Sequence, residues 1–380
     1  MEHLKEQIKE NRLKEIAAVF LKLGFIGFGG PAVHIAMMEE EIVRKRQWLT
    51  HEHFIDLIGA TNLIPGPNST EMALHCGHER GGWRGLFIAG ACFILPAVFI
   101  TALFAWAYRQ YGTLPALQPF IYGIKPAIIG IIVSMMITLG KKALKNIELG
   151  IIAVVAIVLA FLGVNEIYIL FGLGLTGMLL YLAKQKMNTL NTIIPISILG
   201  LLSMDIKNPD WKIFWIFLKV GAILYGSGYV LFAFLNTELV QTGMLTKQSL
   251  IDAIAVGQFT PGPVFSSATF IGWQMDGWQG ALGATIGIFL PSFLFVGLLN
   301  PLVSRLRRSK ITTAFLDAVN IVSIALILAV CFDMGKTSIT DWKTIVIAVL
   351  GFGITFGFKK VNSAFVVIGG ALAGYLLYLI

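Results

Sequence analysis

The chain of 380 residues is 56% hydrophobic and only 13% Asp, Glu, Lys or Arg, about half the charged fraction of an ordinary soluble domain. That balance excludes a water-soluble globule, and the almost continuous apolar runs 151–164 and 321–332 exclude the short alternating strands of an outer-membrane barrel. A formal net charge of +8 is what basic loops facing the cytoplasm give any multi-span protein, so no nucleic-acid partner is read from it.

Residues 1–14 mix acidic and basic side chains and read as a cytoplasmic N-terminal segment, with no small-residue cleavage site after it. Apolar segments follow near 15–37, 52–76, 84–108, 116–140, 147–164 and 166–183. Residues 184–211 form a linker containing a thirteen-residue apolar run, Thr192 to Met204, which is short for a crossing. Six further segments lie near 212–235, 249–272, 279–302, 312–333, 343–358 and 362–380. Cys76, Cys92 and Cys331 are scattered among these segments and imply no disulfide framework.

The two sets are one sequence written twice. Residues 15–183 lie over residues 212–380 with a few single-residue gaps. Lys22 and Gly24 answer Lys219 and Gly221, Leu49-Thr50 with Asp56 answers Leu245-Thr246 with Asp252, and Pro65-Gly66-Pro67 falls on Pro261-Gly262-Pro263. Leu95-Pro96 falls on Leu290-Pro291, and Gly140-Lys141 on Gly335-Lys336. Prolines and charges are rare here and carry much of the agreement.

Basic residues decide the relative direction of the halves. In the first half they follow segments two, four and six (Arg80, Arg84, Lys141, Lys142, Lys145, Lys184, Lys186); in the second they follow segments three and five (Arg305, Arg307, Arg308, Lys310, Lys359, Lys360). The expectation is an all-α polytopic membrane protein of two homologous six-segment halves, inverted, with an odd linking span and about thirteen membrane segments. Arg44-Lys45-Arg46 then falls on the opposite side from the other basic loops.

Each half carries Pro-Gly-Pro inside an apolar segment, where proline removes a backbone donor and clashes with the preceding turn. Broken backbone at membrane depth survives only against protein or a watery cavity. Hydrogen-bonding residues flank both breaks: Asn62, Asn68, Ser69, Thr70 and Glu71 at the first, Gln258, Thr260, Ser266 and Ser267 at the second. A helix restarting after Pro67 or Pro263 would aim unpaired amides and its positive dipole end at an anion. Gly27 to Pro31 and Gly226-Ser227-Gly228 break the first segment of each half in the same way. Paired discontinuous helices of this kind point to the midplane site of a secondary transporter.

Among the ionisable residues, Lys125 before Pro126 is a substrate cation or a snorkelling anchor, and Lys22 and Lys219 pose the same alternative, with anchoring favoured. Glu39 to Trp48 reads as a solvated loop. Glu71 follows a break in apolar surroundings and is a candidate for proton exchange, and His34 reads as a polar lining or packing residue. His75, Cys76, His78 and Glu79 lack strong ligand spacing, and the second half replaces them with Ile271, Gly272 and Trp273, so no metal site is assigned. Neither a catalytic set nor a cofactor motif is present, and Met334 to Thr337 lacks the upstream glycine of a phosphate loop.

The stretch GFGGPAVHIAMMEEEIVRKRQWL from Gly27 to Leu49, NLIPGPNST from Asn62 to Thr70 and AGACFILP ending at Pro96 resemble the chromate ion transporter family in its long, two-domain form, over nearly the whole chain. The resemblance implies export of chromate, a sulfate-like dianion, across the bacterial inner membrane, and with it chromate resistance. By position it implies a functional set of Gly29, Gly30, Pro31, His34, Glu41, Arg46, Trp48, Asn62, Pro65, Gly66, Pro67, Thr70, Lys125, Pro126, Gln258, Pro261, Gly262 and Pro263. Two residues depart from the family pattern: Glu71 stands in place of a neutral Gln, and Gly228-Tyr229 in place of Gly-Pro.

The expected mechanism is alternating access around a midplane cavity lined by both breaks, with Glu41 and Glu71 as coupling residues and membrane lipid as the surroundings. Sulfate or another oxyanion is the alternative cargo, a passive anion channel the alternative mechanism, and a homodimer the alternative to a monomer.

Overall fold

The computed structural model describes residues 2–28, 30–112, 114, 117–184, 211–225, 228, 230–307, 309–358 and 361–378. Every regular element among them is a helix. Gly29, Gly226, Ser227, Tyr229 and the apolar run 192–204 lie outside the described residues. Five described helices are long and apolar enough to cross a bilayer, and four are shorter and apolar, which makes the chain a multi-pass membrane protein.

The first half opens with α1 (Glu2–Ile26), which stops at the glycine break; α2 (Pro31–Met38) and a π-helical turn (Glu39–Lys45) lead away from it. Contacts show the chain folding back on itself. Glu15 of α1 meets Arg46 at 3.8 Å, the Trp48 indole N–H at 3.3 Å and Arg80 at 3.0 Å, while Lys22 bonds Glu41 at 2.7 Å.

The second segment repeats the device. Thr50 caps α3 (His51–Thr61) by accepting from the His53 amide. The chain turns at Pro65-Gly66-Pro67 and returns in the first limb of α4 (Asn68–Tyr111), so that His53 at the start of α3 lies 3.3 Å from Glu79. At Gly82 the helix bends sharply, with Gly77 packed on Gly85 so closely that a Cβ at Gly77 would lie 2.5 Å from the Gly85 carbonyl oxygen.

The expected segments 15–37 and 52–76 are therefore helical hairpins whose two ends share one end of the molecule, here called the Arg80 end. Hydropathy alone does not distinguish a segment that crosses from one that enters and turns back. The hairpin also removes the anomaly of Arg44-Lys45-Arg46, because folding back brings Arg46 beside Glu15 and Arg80, at the basic end.

Beyond Gly82 the second limb of α4 runs about 43 Å, and α5 (Gln118–Ala143), α6 (Ile147–Phe161) and α7 (Glu166–Lys184) follow. Lys184 pairs with Glu148, so α6 and α7 run antiparallel.

The second half repeats this order with α8 (Lys212–Ile223), α9 (Val230–Leu235), a π-helical turn (Asn236–Val240), α10 (Lys247–Phe259), α11 (Ser267–Arg307, bent at Asp276–Gly277), α12 (Lys310–Ser338), α13 (Trp342–Gly357) and α14 (Ser363–Tyr378). Thr246 caps α10 as Thr50 caps α3.

The long limbs of α4 and α11 run antiparallel to each other. Trp83 packs on Gly297, Phe87 stacks on Phe293 with ring centroids 5.7 Å apart, and Thr101 reaches Ser266 at 3.3 Å. Arg109 lies beside the α11 bend at Gly277. The bend of α11 thus sits at the far end of the α4 limb from the Gly82 bend, the Arg109 end. The halves also exchange their last helices: α6 and α7 pack on α12, whereas α13 and α14 pack on α5.

Candidate functional site

Each half's Pro-Gly-Pro turn is the tip of a hairpin, and each tip docks on the broken first helix of the other half. The Gly66 amide donates to the Leu224 carbonyl at 2.7 Å, and the Gly262 amide donates to the Gly27 carbonyl at 2.7 Å. The amides at these two glycines are thus engaged; the unpaired donors expected of the restarting helices lie beyond Pro67 and Pro263. The same bonds occupy carbonyls at the C-terminal ends of α8 and α1, where negative dipole charge would gather. His34, stacked edge-on against Phe93, donates from Nε2 to the same Gly27 carbonyl at 2.8 Å.

The helix restarts at Asn68 after the first tip, and a short 3-10 turn (Val264–Ser266) leads into α11 after the second. The Thr70 and Ser266 amides turn back to the Pro67 and Pro263 carbonyls at 2.8 and 2.9 Å, so only the amides before them, of Asn68, Ser69, Val264 and Phe265, have no carbonyl within the turn to bond. The hydroxyls of Thr70 and Ser267 are buried there without a hydrogen-bond partner, an uncommon condition for a buried polar atom. Pro65, Gly66, Pro67, Ser69, Gln258, Thr260, Pro261, Gly262, Pro263 and Ser266 are all buried around them.

Glu71 is fully buried, one helical turn after the first tip. Its Oε1 and the Ser292 hydroxyl converge on the space that a Cβ of Gly66 would fill, 2.4 and 2.5 Å from it. At the corresponding positions of the other tip stand Ser267, Ala97 and Gly262, so the carboxyl belongs to one half only.

The two hairpins differ in cover. Residues 250–255 of α10 are buried without exception, packed against α5 and α14. In α3 the residues Glu52, Ile55 and Asp56 are exposed, as is Asn62 directly after it. Asn68 donates to Asn62 across the mouth of that first tip at 2.9 Å, and Gly30 is half-exposed near the neighbouring break.

The charged residues expected at the site have partners. Glu41 binds Lys22 at 2.7 Å, Lys45 at 3.2 Å and Arg46 at 3.6 Å. Lys219 binds Glu238 at 2.7 Å, the second-half equivalent of the Lys22–Glu41 bond. Lys22 and Lys219 thus join α1 and α8 to the π-helical turns. Lys125 lies 3.9 Å from Asp252, and the run Glu39 to Lys45 is helical, with Glu41 buried, where a solvated loop was expected. Arg46 belongs to the Glu15 cluster, remote in the fold from the tips it was grouped with.

Sequence reasoning passed over Ser292, Thr101, Leu224 and the Tyr108–Asp252 contact. Ser292 carried one signal, its place directly after the duplicated Leu-Pro. Among the described residues no group of His, Cys, Asp or Glu is arranged to hold a metal ion.

A sequence model of chromate transporters matches residues 14–178 and again 211–375. The chain belongs to the chromate transporter family. It is 30% identical to a chromate transport protein of Cupriavidus metallidurans over 96% of this chain and 93% of that one. A probable chromate transport protein of Synechococcus elongatus is 28% identical, covering 96% of each chain. A chromate transport protein of Pseudomonas aeruginosa is 27% identical over 96% of this chain and 92% of its own. No solved structure matches.

Proposed function

We propose that the protein exports chromate from the cytoplasm by alternating access, the two halves being inverted in the bilayer and rocking about the pair of docked tips. The observation that carries this reading is the reciprocal bonding of Gly66 to Leu224 and Gly262 to Gly27. It relates the halves by an approximate two-fold axis, the arrangement on which rocking transporters operate. Opposite ends of α4 and α11 meet the two bends, as inverted halves require.

The basic Arg80 end faces the cytoplasm in this reading, in keeping with the positive-inside rule. Both ends of the first half lie there, because α7 closes its hairpin at Glu148, whereas the second half begins at the Arg109 end.

Chromate binds between the tips. Amide ends at Asn68, Ser69, Val264 and Phe265, with the hydroxyls of Thr70, Ser266 and Ser267, suit an oxyanion, since the opposing carbonyl ends are already bonded. Asn62, Asn68, Gly30 and the uncovered face of α3 form the cytoplasmic mouth. An inside-negative potential favours outward movement of a dianion by about 4.6 kcal/mol per 100 mV. Glu71 is the proton-coupling group, because a buried carboxyl changes its charge only with a change of surroundings.

Chromate and sulfate flux in inverted vesicles, with potential and pH gradient set independently, tests the proposal. Saturable chromate uptake driven by an inside-positive potential is expected. Flux that neither saturates nor shows counterflow would instead identify a channel.

A further inference from the structure

The second hairpin is held at the Arg109 end by a cluster of Tyr108, Lys125 and Asp252. Asp252 lies on α10, almost fully buried, and receives the Tyr108 hydroxyl of α4 at 2.6 Å and the Gln248 amide at 3.2 Å. Lys125 of α5 stands 3.9 Å away with its side chain 18% exposed. One carboxylate therefore joins α10 of the second half to two long helices of the first.

The duplication does not repeat all of these residue types at the other end. Asp56 is the counterpart of Asp252, but Val303 occupies the place of Tyr108 and Asn320 that of Lys125. The tyrosine and the lysine are thus not repeated at the matching positions. The hairpin with the cluster is covered and its counterpart is open, so the difference in chemistry runs parallel with the difference in cover.

A buried ion pair is a weak source of net stability but expensive to break one partner at a time. It suits a closure that must be either fully made or fully parted. Resting on the alternating-access reading above, we propose that Tyr108, Lys125 and Asp252 form the periplasmic gate of the pathway. Asp252 positions Lys125 and seals the second tip while the first stands open to the cytoplasm. Opening separates α10 from α4 and α5, and frees the Lys125 ammonium to meet a departing oxyanion.

The test uses a membrane-impermeant thiol reagent on right-side-out and on inverted vesicles, in a Cys76→Ala, Cys92→Ala, Cys331→Ala background. Asn62→Cys reports the cytoplasmic mouth and Thr260→Cys the sealed tip. Position 62 is expected to react only in inverted vesicles, and position 260 in neither. Adding Asp252→Asn or Lys125→Gln should make position 260 react from the periplasmic side at least tenfold faster, and the reversal Lys125→Asp with Asp252→Lys should restore protection. Protection of position 260 in both single variants overturns the gate, as does labelling that persists in the reversal. Failure of position 62 to react from the cytoplasmic side overturns the alternating-access reading itself, separately from the gate.

Discussion

Gly66 and Leu224, 158 positions apart in sequence, are joined by a backbone hydrogen bond of 2.7 Å that Gly262 and Gly27 repeat at the same length. The two bonds place each half's broken hairpin on the other half's broken first helix, so neither break is satisfied within its own repeat. Duplicated sequence has here become mutual structure: the turn that proline forces open in one copy is completed by the other.

This dependence makes the tip glycines intolerant of side chains. Gly66 has φ +140° and Gly262 φ +89°, and a Cβ at Gly66 would lie 2.4 Å from Glu71 Oε1 and 2.5 Å from Ser292 Oγ. Gly66→Ala should cost about 1–3 kcal/mol of stability and abolish flux, while Gly163→Ala, at φ +78° with nothing within 4 Å, should keep transport. Thermal unfolding in detergent and vesicle flux read the two effects. Full flux in Gly66→Ala would mean that the tips do not move against each other.

Glu71→Gln keeps the shape of the side chain and removes the proton exchange proposed for it. Chromate flux driven by membrane potential should persist, and the dependence on a pH gradient should fall at least tenfold. An unchanged response to the gradient would remove Glu71 from the coupling step and return it to packing beneath Gly66.

The duplication and the Pro-Gly-Pro breaks were legible in sequence because proline and glycine act on the backbone locally. That the segments fold back was not, because Glu15 meets Arg80, and His53 meets Glu79, through contacts that no hydropathy window contains. Asp252 was visible as the partner of Asp56 in the repeat, yet its function depends on Tyr108 and Lys125, which are remote in sequence and have no counterparts in the second half. Lys22 was judged against two alternatives, anchor or substrate cation, and Glu41 supplied a third.

The bonds Lys22–Glu41 and Lys219–Glu238 are equal in length and differ in support. Glu41 keeps Lys45 and Arg46 when Lys22 is removed, whereas among the described residues Lys219 is the one cation paired with Glu238. Lys219→Met should therefore destabilise by about 1–3 kcal/mol and Lys22→Met by less, neither changing the apparent affinity for chromate. Unfolding midpoints and concentration-dependent flux separate these outcomes; a selective loss of affinity in either variant would restore the substrate-cation role.

Asp341 gives a pH dependence of known sign. It caps α13 through the Thr344 amide at 2.9 Å, and Tyr122 of α5 donates to it as well. The Tyr122 hydroxyl first, and then the Thr344 amide, hold its carboxyl below the ordinary aspartate value. A depressed carboxyl stabilises the fold above the unfolded-state pKa of about 4 and loses that contribution as pH falls through the lower folded value. Asp341→Ala should cost about 1 kcal/mol at neutral pH and less in strong acid, where only the contribution of a neutral cap remains. Asp341→Asn, still a cap, should lose only the pH-dependent part. Melting curves between neutral and acid pH measure both, and a difference from the parent that widened toward acid would contradict the assignment.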